Sequence, residues 1–145
     1  MARGALFLLC ASAAFSVAAG CDPADTSPPA DLPRCAAGAG PIARVSPADG
    51  QTRALRRPTF VVTMSEEIDC SKITTTGFTL TDGGGNSAEL GAVKCEAGNP
   101  TTVTFTPKDD LAFSTPHELV LTGLVDGSDQ LIPACRIDFT TKSKT

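Results

Sequence analysis

Thr59-Phe60-Val61-Val62-Thr63-Met64 is the stretch that decides the fold class of this 145-residue chain. Its apolar side chains Phe60, Val62 and Met64 recur at every second residue, which is the period of a β-strand with one buried face. The alternate positions hold β-branched Thr and Val, which favour extended backbone. The stretch therefore predicts a strand that contributes one face to a hydrophobic core.

The same pattern recurs along the chain from this strand. Six further stretches are separated by turn signals such as Asp82-Gly83-Gly84-Gly85-Asn86. They are 43–45, 78–81, 90–94, 102–106, 118–122 and 136–140. No stretch shows the 3.6-residue period of an amphipathic helix. Seven short strands with frequent turns predict an all-β sandwich.

The first 21 residues have the layout of an export signal. Arg3 supplies positive charge, an apolar run extends from Ala5 to Ala19, and small residues lead into Cys21. Val17-Ala18-Ala19-Gly20-Cys21 resembles the lipobox of bacterial lipoproteins, whose cysteine is acylated and becomes the mature N-terminus. This resemblance implies a lipoprotein signal peptide at 1–20 and a lipid on Cys21.

Two other interpretations of this segment stay open. Ordinary secretion would cleave the chain near Ala19 or Gly20 without acylation, and Ala18 stands where the lipobox usually has Leu. A transmembrane helix needs about 20 predominantly apolar residues. This run is shorter and is interrupted by Ser12 and Ser16, so it fits a membrane span less well.

The cysteine count agrees with acylation. Cys10 would leave with the signal peptide and acylation would occupy Cys21, which leaves an even set of four. These four are Cys35, Cys70, Cys95 and Cys135. A zinc site would favour closely spaced C-x-x-C pairs, whereas the nearest two, Cys70 and Cys95, are 25 residues apart. Because export permits disulfides, we expect two of them, with three connectivities open.

Composition argues against several classes of partner. Removal of residues 1–20 leaves 125 residues, enough for one domain, with 11 basic and 16 acidic side chains and a net charge of −5. An acidic chain without a basic cluster is not expected to bind nucleic acid. The chain has no Trp or Tyr, which disfavours sites that stack sugars or bases on aromatic rings.

The mature chain is predicted to have three parts. Residues 21–41 are proline-rich and lack periodicity, so they predict a semi-rigid tether. Residues 42–141 contain all the predicted strands and form the sandwich. Residues 142–145 are a short C-terminal tail.

The folded part resembles the bacterial Ig-like domain first described in S-layer proteins. Six motifs occur in the order of that family: Ser46-Pro47-Ala48-Asp49-Gly50, Ser65-Glu66-Glu67-Ile68-Asp69, Phe78-Thr79-Leu80-Thr81-Asp82, Phe105-Thr106-Pro107 with Leu111, Val125-Asp126, and Phe139-Thr140-Thr141. The resemblance implies an Ig-like β-sandwich. Met64 and His117 stand where the family usually has Phe and Tyr, and the turn at 127–130 departs from its usual Gly-Asn, so no calcium site is carried over.

The strand order of an Ig-like sandwich also implies the disulfide pairing. The cysteines would cluster at one pole, as the pairs Cys35–Cys135 and Cys70–Cys95. The opposite pole would carry the loops 51–57, 82–87 and 108–115. The candidate interaction residues in these loops are Arg53, Arg56, Arg57, Asp109 and Asp110.

Candidate chemistry in the rest of the sequence is sparse. His117 is the only histidine, and no Gly-x-Ser-x-Gly motif accompanies it. It stands at a strand start where the Ig-like family has an aromatic ring, so the resemblance implies a packing role and not catalysis. Calcium binding by the acidic pairs 66–67, 109–110 and 126 with 129 stays an alternative to solvated loops. Periplasmic copper-binding domains of the copper-resistance type share the Pro-x-Asp-Gly opening and the Ser-Glu strand end. They bind copper through an N-terminal histidine and others, and this chain has no such histidine.

These observations predict a lipid-anchored module of the bacterial envelope, in the inner or outer membrane, with a structural or protein-interaction role. We expect no catalysis, no cofactor and no metal, and a partner that is another envelope protein or a cell-wall polymer. Two alternatives stay open. One is an accessory subunit of an envelope enzyme or secretion assembly, and the other is a small metal- or ligand-binding carrier.

Overall fold

Nine strands form two sheets in the computed structural model, which describes residues 32–35, 41–98 and 101–145. In chain order they are β1 (Ile42–Ser46), β2 (Gln51–Ala54), β3 (Phe60–Met64), β4 (Phe78–Asp82), β5 (Ser87–Ala88), β6 (Lys94–Glu96), β7 (Thr102–Phe105), β8 (Pro116–Leu121) and β9 (Cys135–Thr141). One sheet has the order β1-β3-β7-β6 and the other has the order β2-β9-β8-β4-β5. The predicted all-β sandwich is confirmed.

The core forms where the alternating faces of the two sheets meet. In β3, Phe60, Val62 and Met64 are fully buried, as their spacing predicted. The ring of Phe60 stacks on Phe105 of its own sheet, with centroids 5.0 Å apart. It also meets Phe139 of the opposite sheet edge to face at 5.7 Å. Aromatic contacts of this kind stabilise a core beyond the area that they bury.

The predicted number of strands was wrong, because two edge strands carry no alternation. β2 lies in a stretch that was expected to be a loop, and only Ala54 of its four residues is buried. β5 has two residues and lies at the edge of its sheet, where β4 is its only partner among the described residues. An edge strand pairs with a neighbour on one side and can be polar on both faces. Its sequence then shows no alternation of apolar residues from which the strand could be predicted.

The predicted strand over 90–94 was also wrong. The chain pairs with β4 at Ser87–Ala88 and with β7 at Lys94–Glu96, so it crosses from one sheet to the other between these points. Within the crossing, Leu90 makes an isolated bridge to Pro107. Gly91 donates its N–H to the Thr106 carbonyl at 2.7 Å. Leu90 is buried although it lies outside any strand. An apolar residue at this position therefore resembled the buried face of a strand in the sequence.

The glycine run between β4 and β5 forms a hairpin turn, as its sequence predicted. Gly85 has φ +82°, a backbone conformation that disfavours side chains with a Cβ. Asp82 Oδ1 accepts hydrogen bonds from the N–H groups of Gly84 and Asn86, each at 2.9 Å. The Asn86 side-chain amide also donates to the Asp82 carboxylate. This bond has the largest effect, and together with the backbone bonds it stabilises the charged carboxylate and lowers the pKa of Asp82.

The sandwich has two distinct ends. We call the end at Leu121 and Cys135, which face each other across β8 and β9, the proximal pole. The end at Pro116 and Thr140 is the distal pole. β2 runs parallel to β9 and therefore also points toward the distal pole.

Both disulfides lie toward the proximal pole. Cys35 is bonded to Cys135 and Cys70 to Cys95, which is the pairing that the Ig-like resemblance implied. The chain before β1 is held there by its backbone as well. The Cys35 N–H donates to the Arg136 carbonyl and the Arg136 N–H to the Pro33 carbonyl, both at 2.9 Å. The Arg34 guanidinium pairs with Asp49 at 2.9 Å and with Asp138.

Several predictions fall outside the described residues. They are the signal peptide at 1–20, the lipid on Cys21 and most of the tether at 21–41. Among the residues that the structure describes, no helix has the length and apolar character needed to cross a membrane.

Replacement of Phe60 by Ala tests the inter-sheet contact. We expect Phe60→Ala to lower the free energy of unfolding by about 3–5 kcal/mol, because it leaves a cavity between the sheets. The neighbouring Thr59 is exposed, so Thr59→Ala should stay within about 0.5 kcal/mol of the unmodified chain. Urea unfolding followed by circular dichroism measures both, and equal losses would contradict the packing described.

Removal of the disulfides one at a time should give unequal losses. Cys35–Cys135 closes a separation of 100 residues and Cys70–Cys95 one of 25. In the chain-entropy model these closures contribute about 5 and about 3.5 kcal/mol. The double variant Cys35→Ala/Cys135→Ala should therefore unfold at a lower urea concentration than Cys70→Ala/Cys95→Ala. The reverse order would mean that native packing around the bonds outweighs chain entropy.

Candidate interaction site at the distal pole

Three segments of the chain are bonded together at the distal pole. They are the end of β2, the loop before β8 and the residue after β9. The Lys142 N–H donates to the Ala54 carbonyl at 2.9 Å, and the Ser114 N–H donates to the Lys142 carbonyl at 3.1 Å. The Leu111 N–H donates to the Arg56 carbonyl at 2.8 Å. These backbone bonds hold the three segments in fixed positions.

Arg56 fastens two of these segments through its side chain. Its Nε donates to the Leu111 carbonyl at 2.5 Å, and its Nη1 lies 3.2 Å from Asp110 Oδ2. The guanidinium also covers the Phe113 ring, with Cζ 4.1 Å from the centroid. Arginine suits such a site because its planar group can hydrogen-bond and stack at once. The charge of Arg56 is therefore paired within the domain.

A shallow depression of ≈ 360 Å³ lies beside this arginine. Its lining residues are Leu55, Arg56, Arg57, Asp110, Phe113 and Lys142. Leu55 is 62% exposed and Phe113 is 36% exposed. Among the described residues only one other large apolar side chain is exposed, which is Leu131 near the proximal pole.

Three of the five predicted interaction residues line this depression. Arg56, Arg57 and Asp110 come together there, although two chain segments far apart in sequence supply them. Arg53 and Asp109 are exposed but do not line it. Arg53 lies in β2 with φ +62°, where the pairing with β9 is irregular.

Sequence reasoning missed the apolar part of the site. Leu55 and Phe113 were not selected, nor was Lys142, which was assigned to the tail. A signal was present, because Leu55 and Phe113 are large apolar residues inside two predicted loops. Their exposure could not be known until the course of both loops was known.

His117 lies in a second, smaller cleft of ≈ 180 Å³ at this pole, bordered by Asp82 and Ala112. The side chain is 5% exposed and its ring meets Phe139 edge to face at 5.4 Å. Nδ1 is 3.1 Å from the Pro116 carbonyl, while the buried Nε2 has no hydrogen-bond partner. Burial lowers the pKa of His117, and the charge of Asp82 partly offsets this. The imidazole is thus packed in the domain, as predicted, and its lowered pKa favours the neutral form.

Two of the acidic residues considered for calcium, Asp126 and Asp129, have partners within the domain. Asp126 Oδ1 accepts hydrogen bonds from the N–H groups of Ser128 and Gln130, at 2.8 and 2.9 Å. Lys72 pairs with Asp129 and lies 3.7 Å from Asp69. Across residues 32–35, 41–98 and 101–145, no three His, Cys, Asp or Glu side chains converge in a way that could hold a metal ion.

Comparison with known proteins identifies the fold. The family model for the bacterial Ig-like domain matches residues 39–141. No curated protein matches the sequence significantly.

Solved structures with similar folds share little sequence with this chain. The N-terminal part of the bacterial S-layer protein SbsC aligns at TM-score 0.53 and 22% identity, over 70% of this chain and 23% of that one. CopC from Methylosinus trichosporium OB3b aligns at TM-score 0.54 and 12% identity, over 72% of this chain and 94% of that one. The chain thus spans about a quarter of the S-layer structure. At these identities the similarity extends to the fold alone.

The buried histidine predicts a pH dependence of stability. His117 has a lower pKa in the folded chain than its ordinary value of 6.5. As the pH falls below about 6.5, the imidazole is therefore protonated more readily in the unfolded chain, which stabilises the unfolded state. The free energy of unfolding should therefore fall between pH 7 and 5, with a slope of at most about 1.4 kcal/mol per pH unit. His117→Phe should remove this slope, because the chain has no other histidine.

Urea unfolding at half-unit pH intervals measures this slope in both proteins. Thr115→Ser, two residues away, serves as the control variant that keeps the imidazole. Equal slopes in the unmodified chain and in His117→Phe would show that another group titrates.

Proposed function

Since the chain belongs to the bacterial Ig-like domain family, we propose that it is a lipid-anchored, non-catalytic module of the bacterial cell envelope. In this role the sandwich presents its distal pole to a partner, which is another envelope protein or a cell-wall polymer. Membership of the family supports an extracellular or envelope location. The lipid anchor is proposed from the lipobox-like residues that end at Cys21.

The observation that carries this proposal is the separation of the two poles. The chain reaches the domain at Arg34 and Cys35, which are bonded to the start of β9 at the proximal pole. The depression with Leu55 and Phe113 lies at the opposite pole. A membrane attachment upstream of Cys35 would leave that depression facing away from the lipid.

The length of the tether fits such an arrangement. Eleven residues lie between Cys21 and Pro33, whose carbonyl is bonded to β9, and at about 3.3 Å per extended residue they reach about 36 Å. Their proline content favours an extended, semi-rigid chain. This reach exceeds the polar headgroup region of one leaflet, so the domain would stand clear of the membrane surface.

A binding role accounts better for the described side chains than catalysis does. His117, the one histidine of the sequence, is buried against Phe139, and its Nε2 has no hydroxyl or thiol as a hydrogen-bond partner. A hydrolase would need this base beside a hydroxyl or thiol. The exposed apolar side chains at the distal pole are typical of contact surfaces.

Intact mass spectrometry of the chain extracted from bacterial membranes tests the anchor. We expect a non-reduced mass that begins at Cys21, includes acyl groups and lacks four hydrogens, because two disulfides form. Cys21→Ala should lose the acyl mass. Cys10→Ala is the matched control and should leave the mature mass unchanged, since Cys10 would be removed with the signal peptide.

A different result would contradict the proposal. An unmodified chain cut near Gly20 and recovered in the soluble fraction would mean ordinary secretion. Fractionation of inner and outer membranes on the same material would identify the membrane that holds the lipidated form.

A further inference from the structure

We propose that the distal depression docks a protein segment that carries both apolar and acidic side chains. This inference rests on the proposed function, because it identifies the chemistry of the partner that the distal pole would meet. It follows from three properties of the depression, which are its apolar side chains, its unpaired positive charges and its rigid frame.

The apolar property comes from Leu55 and Phe113. Both border the depression, and most of the Leu55 side chain is in contact with water. The depression, at ≈ 360 Å³, is large enough for a side chain of the size of Leu or Phe. Burial of apolar area is the main source of binding free energy at such a contact.

The charge property comes from Arg57 and Lys142. Neither of them forms an ion pair within the part of the chain that the structure describes, whereas Arg56 is paired with Asp110. The depression therefore has two free cations at its border, on a mature chain whose net charge is −5. Acidic side chains are the complement of this local excess of positive charge, and the remaining acidic surface would disfavour other orientations.

The rigid frame comes from the bonds of Arg56 and its neighbours. The carbonyl and the side chain of Arg56 are both bonded to Leu111, and Lys142 is bonded to Ala54. The backbone that presents Leu55 and Arg57 is therefore ordered before binding. A pre-ordered surface loses less conformational entropy when a partner docks.

A protein segment fits these properties better than a cell-wall polymer does. An anionic polysaccharide would use Arg57 and Lys142 but would gain little from an exposed leucine. Sugar rings stack on aromatic faces, and one face of Phe113 is already covered by the guanidinium of Arg56. An apolar and acidic peptide uses both the exposed carbon surface and the free cations.

Fluorescence anisotropy with labelled peptides tests the proposal on the full mature chain, purified from whichever fraction contains it. The probe is a dodecapeptide that alternates Leu and Glu. The comparison peptides alternate Leu with Lys and Ser with Glu. We expect the Leu–Glu peptide to bind at least about tenfold more tightly than either comparison peptide.

Variants locate the binding site. Leu55→Ser and Arg57→Glu should each weaken binding of the Leu–Glu peptide by about tenfold. Leu131→Ser is the matched apolar control, because Leu131 is 70% exposed away from the depression. Arg44→Glu is the matched charge control, because Arg44 is exposed on β1. Both controls should bind the peptide as the unmodified chain does.

Three outcomes would overturn the proposal. They are no binding of the Leu–Glu peptide below about 1 mM, equal binding of the Leu–Lys peptide, and effects of the control variants equal to those at the site. Displacement by alginate together with no effect of Leu55→Ser would assign the surface to an anionic polymer instead. Because these measurements do not depend on acylation, their failure is distinguishable from failure of the membrane anchor.

Discussion

Phe60 and Phe139 meet edge to face between the two sheets, and the rest of the structure depends on this contact. Phe60 lies in β3 of one sheet and Phe139 in β9 of the other, so their packing fixes how the sheets face each other. The strand registers then determine which loops reach each pole. The depression at the distal pole is therefore a consequence of core packing, although none of its lining residues belongs to the core.

The parts of the fold that bury a face were predictable from the sequence. β3 and β9 alternate buried and half-buried residues along their whole length, and both were identified from that period. β2 and β5 lie at the two edges of one sheet and gave no such signal. Their pairing depends on the neighbouring strand and not on their own side chains, so it becomes visible only in three dimensions.

The site was predictable in its charges and not in its shape. Arg56 and Asp110 were selected as loop residues, but the ion pair between them joins positions far apart in the chain. Leu55 and Phe113 acquire their significance only when β2 and β9 bring both loops together. Pairings over such sequence separations follow from topology, which local patterns do not contain.

The bond between Cys35 and Cys135 also has a mechanical consequence. A pull on the chain before Cys35 and after Thr141 would pass through the sulfur atoms directly into β9, which is already extended. The intervening residues would carry no tension, and the domain could not lengthen even if its core melted. If this one bond were reduced and the domain unfolded under tension, the chain could lengthen by about 250 Å at about 3.3 Å per residue, because Cys70–Cys95 would still close 25 of the 100 residues. The domain is thus inextensible while this disulfide is intact, and it can lengthen under tension once the disulfide is reduced.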